Sequence, residues 1–315
     1  MKILITGIHG FVGSNLVAAL KENHTIYGLD IISPNKEGVS YTYGWDDLDI
    51  GIVPDVDAII HLAGKAHDTK NQADAEVYFK VNTGLTQKIF DYFLQSKARK
   101  FIFFSTAKAA ADKVEGVLTE DVVPAPVGPY GESKIKAEEY ILSHMPDTLT
   151  GSASKMVYIL RPCMIHGPGN KGNLNLLYNV VRKGIPWPLG AFENRRTFTS
   201  IDNLSFVISG LLMKDVLSGI YNLGDDEAIS TNELIKVICE SLGKKPHIWK
   251  IPKGLMNGVA KVGGLLHLPL DPERLRKLTE NYISSNAKIK EALGIERMPV
   301  DAREGLRRSL EAFKE

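Results

Sequence analysis

The sequence predicts an α/β fold: a doubly wound parallel sheet followed by a smaller C-terminal α/β lobe. Three observations predict it. Short apolar runs rich in β-branched residues alternate with segments of helical periodicity through the first half of the chain. Those runs lack clean in/out alternation, as expected for strands covered on both faces. After about Pro162 the texture changes, and Gly, Pro and Asn cluster over residues 167–175.

The elements follow in order. KILIT, residues 2–6, is the first strand. FVGSNLVAALKE then carries Val12, Leu16, Ala19 and Leu20 at helical spacing. TIYGLD, residues 25–30, is the next strand, and residues 58–62 inside VDAIIHLAG read as a buried one. Residues 73–96 read as a long helix, KFIFFST (100–106) as a strand, 130–143 as a helix and MVYILRP as a returning strand. Strand, helix, strand repetition with right-handed crossovers makes the sheet parallel. Later helices are expected over about 202–213, 231–242, 286–293 and 301–313, joined by short strands. Ser230-x-x-Glu233 has capping-box spacing before one of them. The domains divide at 1–165 and 166–315. That boundary is soft, because the chain can cross between the two parts more than once.

Composition narrows the partners. The 315 residues are 44% hydrophobic and 24% charged, with a net charge of +1, which is ordinary for a globular protein. Balanced charge argues against a nucleic-acid binder, so any phosphate must be held locally. Cys163 and Cys239 make neither a metal spacing nor a disulfide framework, which points to a reducing, cytoplasmic setting. The first strand begins at Lys2, leaving no room for a signal peptide. No run approaches the roughly 18 apolar residues that span a bilayer. The expectation is a cytoplasmic protein with neither nucleic acid nor membrane as partner. No His, Cys and Asp cluster has metal spacing, so no metal is expected.

Gly7, Gly10 and Gly13 follow the first strand and open the first helix as G-x-x-G-x-x-G. One glycine permits the tight turn, one lets backbone approach a pyrophosphate, and one lets the helix pack on the strand. The helix N-terminus then offers free N–H groups to the phosphates. Asp30 ends the next strand, 17 residues after Gly13. A carboxylate there accepts hydrogen bonds from a ribose 2′-hydroxyl and repels a 2′-phosphate, favouring NAD over NADP. A glycine-rich turn beside a surface aspartate is the competing reading. The order strand, loop, helix, strand, acid favours the dinucleotide.

In YGESK, Tyr130 and Lys134 share one helix face, and Pro129 suits the helix start. An ammonium near a phenol favours phenolate, lowers its pKa and makes a usable base. Lys134 can also hold a nicotinamide ribose. Thr106 ends the strand KFIFFST, where its hydroxyl can polarise a sugar hydroxyl or carbonyl. Alone, Y-x-x-x-K reads as ordinary helix surface. Combined with the glycine loop and a strand-terminal Ser-Thr, it reads as chemistry.

Together, TGIHGFVG, Asp30, HLAG at 61–64, FFST, PYGESK and RPCMIHGPG resemble the extended short-chain dehydrogenases/reductases. Within these the chain is similar to the NAD-dependent nucleotide-sugar epimerase/dehydratase group, from Met1 to about Leu310. The resemblance implies a Rossmann domain holding NAD and a C-terminal lobe holding a nucleoside-diphosphate sugar, with UDP as the guess. It implies Tyr130 as acid/base, Lys134 as its partner and Thr106 as the third member. Phe11 and Val12 would offer N–H groups to the pyrophosphate. Leu62, Ala63 and Gly64 would line the cofactor cleft, with Asn82 near it and Pro162 near the nicotinamide. For the substrate it points to Asn173, Arg196 and an arginine near Arg274, with Arg276 left open as the alternative. An arginine can grip a diphosphate bidentately. Such proteins often pair as homodimers through the helices at 73–96 and 130–143. Phe79, Phe90, Tyr92 and Phe93 supply either that surface or internal packing.

Departures from the pattern narrow the reaction. The group's 4,6-dehydratases usually follow the threonine with an Asp-Glu pair. Here Ala107 and Lys108 follow, which argues against dehydration. Lys108 faces the sugar and its phosphates, or is simply exposed. His166 stands where V-Y-G is common and reads as structural or substrate-facing rather than as a base. His61 reads as a packed, hydrogen-bonded histidine, and His9 as a filler of the glycine loop. His67 and Asp68 can approach the cofactor or the sugar. The apolar segment 253–268, with two lysines and four glycines, reads as a helix covering the substrate lobe, against an interface or membrane-surface reading. The function expected is C4 epimerisation of a UDP-hexose or UDP-N-acetylhexosamine through a 4-keto sugar. The alternatives are a 4-ketoreductase of a nucleotide-linked 4-keto-6-deoxy sugar and, from another class, a non-catalytic NAD-dependent sensor.

Overall fold

The computed structural model describes residues 1–32, 34, 36–65, 74–145, 155–170, 172–265 and 270–313. His67 and Asp68 lie outside the described residues. The apolar runs form a seven-stranded parallel sheet: β1 (Lys2–Thr6), β2 (Thr25–Leu29), β3 (Tyr41–Tyr43), β4 (Ala58–His61), β5 (Lys100–Phe104), β6 (Met156–Pro162) and β7 (Gly219–Leu223). The spatial order is β7-β6-β5-β4-β1-β2-β3. The order therefore reverses between β1 and β4, the switch point at which such sheets open a crevice.

Side chains alternate between two cores. Ile3, Ile5, Ile60, Ile102 and Leu160 pack under helices Phe11–Leu20, Ile201–Met213 and Ala287–Leu293. Leu4, Ile59, Phe101, Phe103 and Ile159 pack under helices Leu85–Gln95 and Pro129–Ser143. Both faces are covered, which is why the strands read as continuous apolar runs. Phe90 and Phe93 are fully buried against Phe101, at ring distances of 5.0 and 5.1 Å. For these two rings, internal packing wins over a dimer surface.

The long helix expected over 73–96 runs as three consecutive pieces: Ala75–Tyr78, a π-helical stretch Phe79–Gly84, and Leu85–Gln95. The chain crosses back into the main sheet after residue 165: Ile201–Met213 covers one face and β7 extends its edge. The rest of the C-terminal half packs around a separate cluster under helices Asn173–Arg182, Thr231–Ser241 and Ala302–Glu311. Ser230 caps the second of these by accepting from the Glu233 amide at 3.0 Å. Among the described residues no helix is long and apolar enough to cross a membrane, and no His, Cys, Asp or Glu group is placed to hold a metal ion.

Two lysines close helix ends from the sheet. Lys100 Nζ donates to the carbonyls of Leu211, Leu212 and Lys214 at 2.9, 2.9 and 2.8 Å. Lys155 Nζ donates to those of Phe93, Ser96 and Ala98, each at 2.8 Å. Terminal carbonyls have no helical partner, and a cation there also meets the negative end of the helix dipole. Lys155→Met should therefore lower stability by about 1–3 kcal/mol, the cost of leaving such acceptors unpaired. Urea unfolding measures this, and an unchanged midpoint would show that the lysine is not a cap.

Candidate active site

The carboxyl ends of β1 and β4 meet at the switch point. Thr6 lies opposite His61 in the register of these strands. The glycine turn starts one residue later, with Gly7 at φ +68° and its amide bonded to Leu29 O at 2.8 Å. A Cβ on Gly7 would stand 2.9 Å from the Ala63 amide nitrogen, so the turn presses directly on the HLAG loop. A Cβ on Gly13 would stand 2.5 Å from Gly7 O and 2.8 Å from Ile8 Cα. Only glycine lets the helix close on the turn there. Gly10 is the N-cap of Phe11–Leu20 and no side chain caps it, which leaves the Phe11 and Val12 end of the helix for an anion. Asp30 stands beside this loop. It accepts from the amides of His9 at 3.0 Å and Ile31 at 2.8 Å. The loop, the helix start and the acid together fit a dinucleotide with a free ribose 2′-hydroxyl.

A chain of buried hydrogen bonds ties this loop to the helix bearing Tyr130. Thr6 Oγ1 lies 2.7 Å from His61 Nδ1 and accepts from the amides of Leu62 and Ala63 at 3.1 and 3.0 Å. His61 Nε2 lies 2.9 Å from Thr86 Oγ1, which donates to Asn82 O at 2.6 Å. The donors have one consistent order: Thr6 hydroxyl to Nδ1, Nε2–H to Thr86, Thr86 hydroxyl to Asn82. His61 is thus a neutral structural residue. Burial and the nearby Lys134 charge hold its pKa well below the ordinary value. The Asn82 amide then clamps Lys65, accepting from its N at 2.7 Å and donating to its O at 3.2 Å, and donates to Ser133 Oγ at 2.9 Å. Ser133 Oγ donates to Tyr130 O at 2.9 Å.

Pro129 starts the helix Pro129–Ser143, so Tyr130 sits in its first turn and Lys134 one turn on. Thr106, just past β5, N-caps the short helix Ala107–Ala110 by accepting from Lys108 N at 3.3 Å. The Thr106 hydroxyl is the hydrogen-bonding neighbour that acts on the Tyr130 phenol, and the Tyr130 ring meets Tyr78 edge-on at 6.3 Å. The structure therefore brings Thr106, Tyr130 and Lys134 together. It corrects the expectation about the phenol. Burial raises its pKa above the ordinary value, the bond to Thr106 works against that, and Tyr78 adds to it. Lys134 Nζ instead donates to Phe104 O at 2.8 Å and lies 4.9 Å from the Phe103 ring centre. Burial lowers its pKa to about 8, with Glu138 pulling the other way. Gly64 is held against this ammonium, since a Cβ there would lie 3.2 Å from Nζ and 2.9 Å from Asn82 Oδ1.

Sequence reasoning missed what stands behind Lys134. Glu138, one turn further on, is fully buried with Arg161 of β6, at 2.6 Å from Nη2 to Oε2, and Ser105 donates to the same carboxylate. The available signal was an arginine inside the apolar run YILRP and a glutamate four residues after Lys134. Pro162 is buried next to this arginine at the end of β6.

The C-terminal lobe reaches the site through Lys108. Its Nζ meets Asp112 Oδ1 at 2.8 Å and lies 5.0 Å from the Tyr282 ring centre. Burial would raise the Asp112 carboxyl, but Lys108, with Arg276 and Lys277 behind it, holds it below its ordinary range. Arg276 stands 3.6 Å from Asp112 and 2.7 Å from Glu280. Arg274 is exposed and faces Asp271 at 3.6 Å. Of the two arginines left open, the structure brings Arg276 to the Thr106 side. Arg196 is half-buried, donates to Lys277 O at 2.8 Å, and has its pKa lowered by burial. Asn173 is exposed at the first turn of its helix. His166 is buried, at 2.8 Å from Ser309 Oγ and 3.5 Å from Asp225, as a structural residue would be. Burial pushes the Cys163 thiol up to about 12, so it is no nucleophile.

Comparison with known proteins shows the family and the fold. Residues 3–224 match the model of the NAD dependent epimerase/dehydratase family. The UDP-glucose 4-epimerase of Vibrio cholerae is 31% identical over 270 residues, 79% of this chain and 78% of the relative. The UDP-N-acetylglucosamine 4-epimerase structure from Bacillus cereus superposes with a TM-score of 0.78 at 20% identity, covering 100% of both chains. The UDP-glucuronic acid 4-epimerase of Bacillus cereus, solved with NAD, gives 0.75 at 22% identity over 100% of this chain and 99% of that one.

The Thr106 bond makes a direct prediction. Thr106→Val should move the Tyr130 phenol to still higher pH, because the interaction opposing burial is lost. Ultraviolet difference titration against Tyr130→Phe isolates this phenol. An unmoved titration would show that Thr106 does not act on it.

Proposed function

The chain belongs to the NAD-dependent epimerase/dehydratase family, and from that premise we propose that it epimerises C4 of a UDP-linked hexose or N-acetylhexosamine through a 4-keto sugar. The observation that carries the reading is the grouping of Thr106, just past β5, with Tyr130 and Lys134, one turn apart on helix Pro129–Ser143, where Lys134 Nζ bonds the last carbonyl of β5. NAD, when bound, supplies the group that takes hydride from the sugar C4 and returns it.

The chain's own residues handle the proton and the orientation. Tyr130 as phenolate takes the proton of the C4 hydroxyl and later gives one back. Thr106 bonds to the phenol, which opposes the effect of burial, and its hydroxyl lies where it can also meet the C4 oxygen. Lys134 keeps positive charge next to the phenolate and offers donors to the cofactor ribose. The first turn at Phe11 and Val12 takes the cofactor pyrophosphate, and Asp30 takes its ribose. Lys108, Arg276 and Arg196 supply positive charge for the sugar diphosphate. No carboxylate pair follows Thr106, which supports keto transfer at C4 over elimination of water.

A proton NMR time course tests the reading, with purified enzyme, UDP-N-acetylglucosamine or UDP-glucose, and catalytic NAD. The expected product is the axial C4 epimer. Tyr130→Phe should lower the rate by about 10²–10⁴-fold, the usual worth of acid/base help. Wild-type turnover in that variant would remove Tyr130 from the mechanism. Turnover only of 4-keto sugars with reduced cofactor would replace epimerisation by 4-keto reduction.

A further inference from the structure

Helix Lys253–Leu265 has two apolar strips. The inner one, Met256, Ala260 and Gly263, is buried, and its two larger side chains join Leu189 and Leu275 in one cluster. That strip covers the lobe as the sequence suggested. Beside it Leu255, Val259 and Val262 are 61%, 48% and 54% exposed. They recur at four- and three-residue spacing, so they share one helix face. Leu265, 79% exposed, extends that apolar surface at the helix end. Apolar side chains scattered singly need no explanation, but an aligned exposed strip does.

Charge around the strip has one sign. Residues 244–265 hold five lysines and no acidic residue, in a chain whose 38 basic and 37 acidic residues balance overall. Lys244 is bonded to Arg182 O and Lys253 lies over the Phe192 ring at 5.6 Å, while Lys250 and Lys261 are exposed, the first beside the helix and the second on it. A second copy of this chain would set those lysines against their own kind. An anionic bilayer complements them, and its interfacial zone accepts an aliphatic strip lying flat. We propose that this helix docks the protein on an anionic membrane surface, with Leu255, Val259 and Val262 entering the headgroup boundary and Lys250 and Lys261 meeting lipid phosphates. This departs from the expectation of no membrane partner, and it does not depend on the reaction assigned above.

The test is co-sedimentation of the full chain with vesicles of phosphatidylglycerol and phosphatidylcholine, against phosphatidylcholine alone. Binding should need the anionic lipid and weaken at high salt. Leu255→Ser with Val259→Ser and Val262→Ser should weaken it about tenfold or more, and Lys250→Gln with Lys261→Gln should weaken it severalfold. Both variants should keep the wild-type melting temperature and NAD binding, because the changed side chains are exposed. No sedimentation with phosphatidylglycerol would overturn the proposal. So would equal sedimentation of both variants, or a dimer seen by light scattering without lipid that the serine variant abolishes.

Discussion

Thr6, His61, Thr86 and Asn82 form one ordered line of hydrogen bonds, and the glycine turn, the HLAG loop and the start of the Tyr130 helix are hung from it. The line runs only one way. Thr6 Oγ1 already accepts two amides, so its own proton must go to His61. Thr86 already donates to Asn82 O, so it must accept from His61. A charged His61 would carry protons on both ring nitrogens and leave the Thr6 hydroxyl without its acceptor. Burial and the Lys134 charge both oppose that state. One neutral imidazole therefore fixes the glycine turn, the HLAG loop and the π-helical stretch relative to one another. A buried network of this kind is rigid only while every member is satisfied.

Asn82 passes the constraint onward. Its amide holds Lys65 on one side and Ser133 on the other, and Ser133 in turn holds the first turn of the Tyr130 helix. The π-helical geometry at Asn82 belongs to this task, since such stretches recur where a helix must present side chains to a site. A second anchor fixes the same helix from below. Arg161 and Glu138 are buried as a bidentate pair, which holds together only while both partners remain. Lys134 lies between the two anchors. Burial drives its pKa down to about 8 against the pull of Glu138. Burial pushes the Tyr130 phenol the opposite way, up. The spacing of tyrosine and lysine therefore does not by itself set the phenol's pKa.

The parts legible in the sequence are those whose signal is local. KILIT, the three glycines and Asp30 follow one another in chain order, so the strand, turn, helix and acid could be read together. Helix 130–143 was legible from Pro129 and from the four-residue spacing of Tyr130 and Lys134. The direction of the phenol shift was not, because spacing gives proximity while burial, a tertiary quantity, outweighs it. Nor was the choice between Arg274 and Arg276. Both lie on one short helix, and only the fold brings Asp112, more than 150 residues earlier, to one of them. Phe90 and Phe93 posed the same problem. Helical spacing sets a face, and the sheet decides whether that face is inside.

Lys108 shows how the two halves of the chain are coupled. Thr106 accepts from its amide, so the backbone of Lys108 is fixed by the residue that bonds the phenol. Its side chain is fixed by Asp112, which also faces Arg276 of the C-terminal lobe. Tyr282 closes the same group, with its hydroxyl donating to Ala111 O at 2.9 Å and its ring under the lysine. The lobe is therefore seated on the helix that Thr106 caps. Lys108, which we propose meets the sugar diphosphate, and Thr106, which we propose meets the sugar oxygen, thus belong to one short helix and its cap.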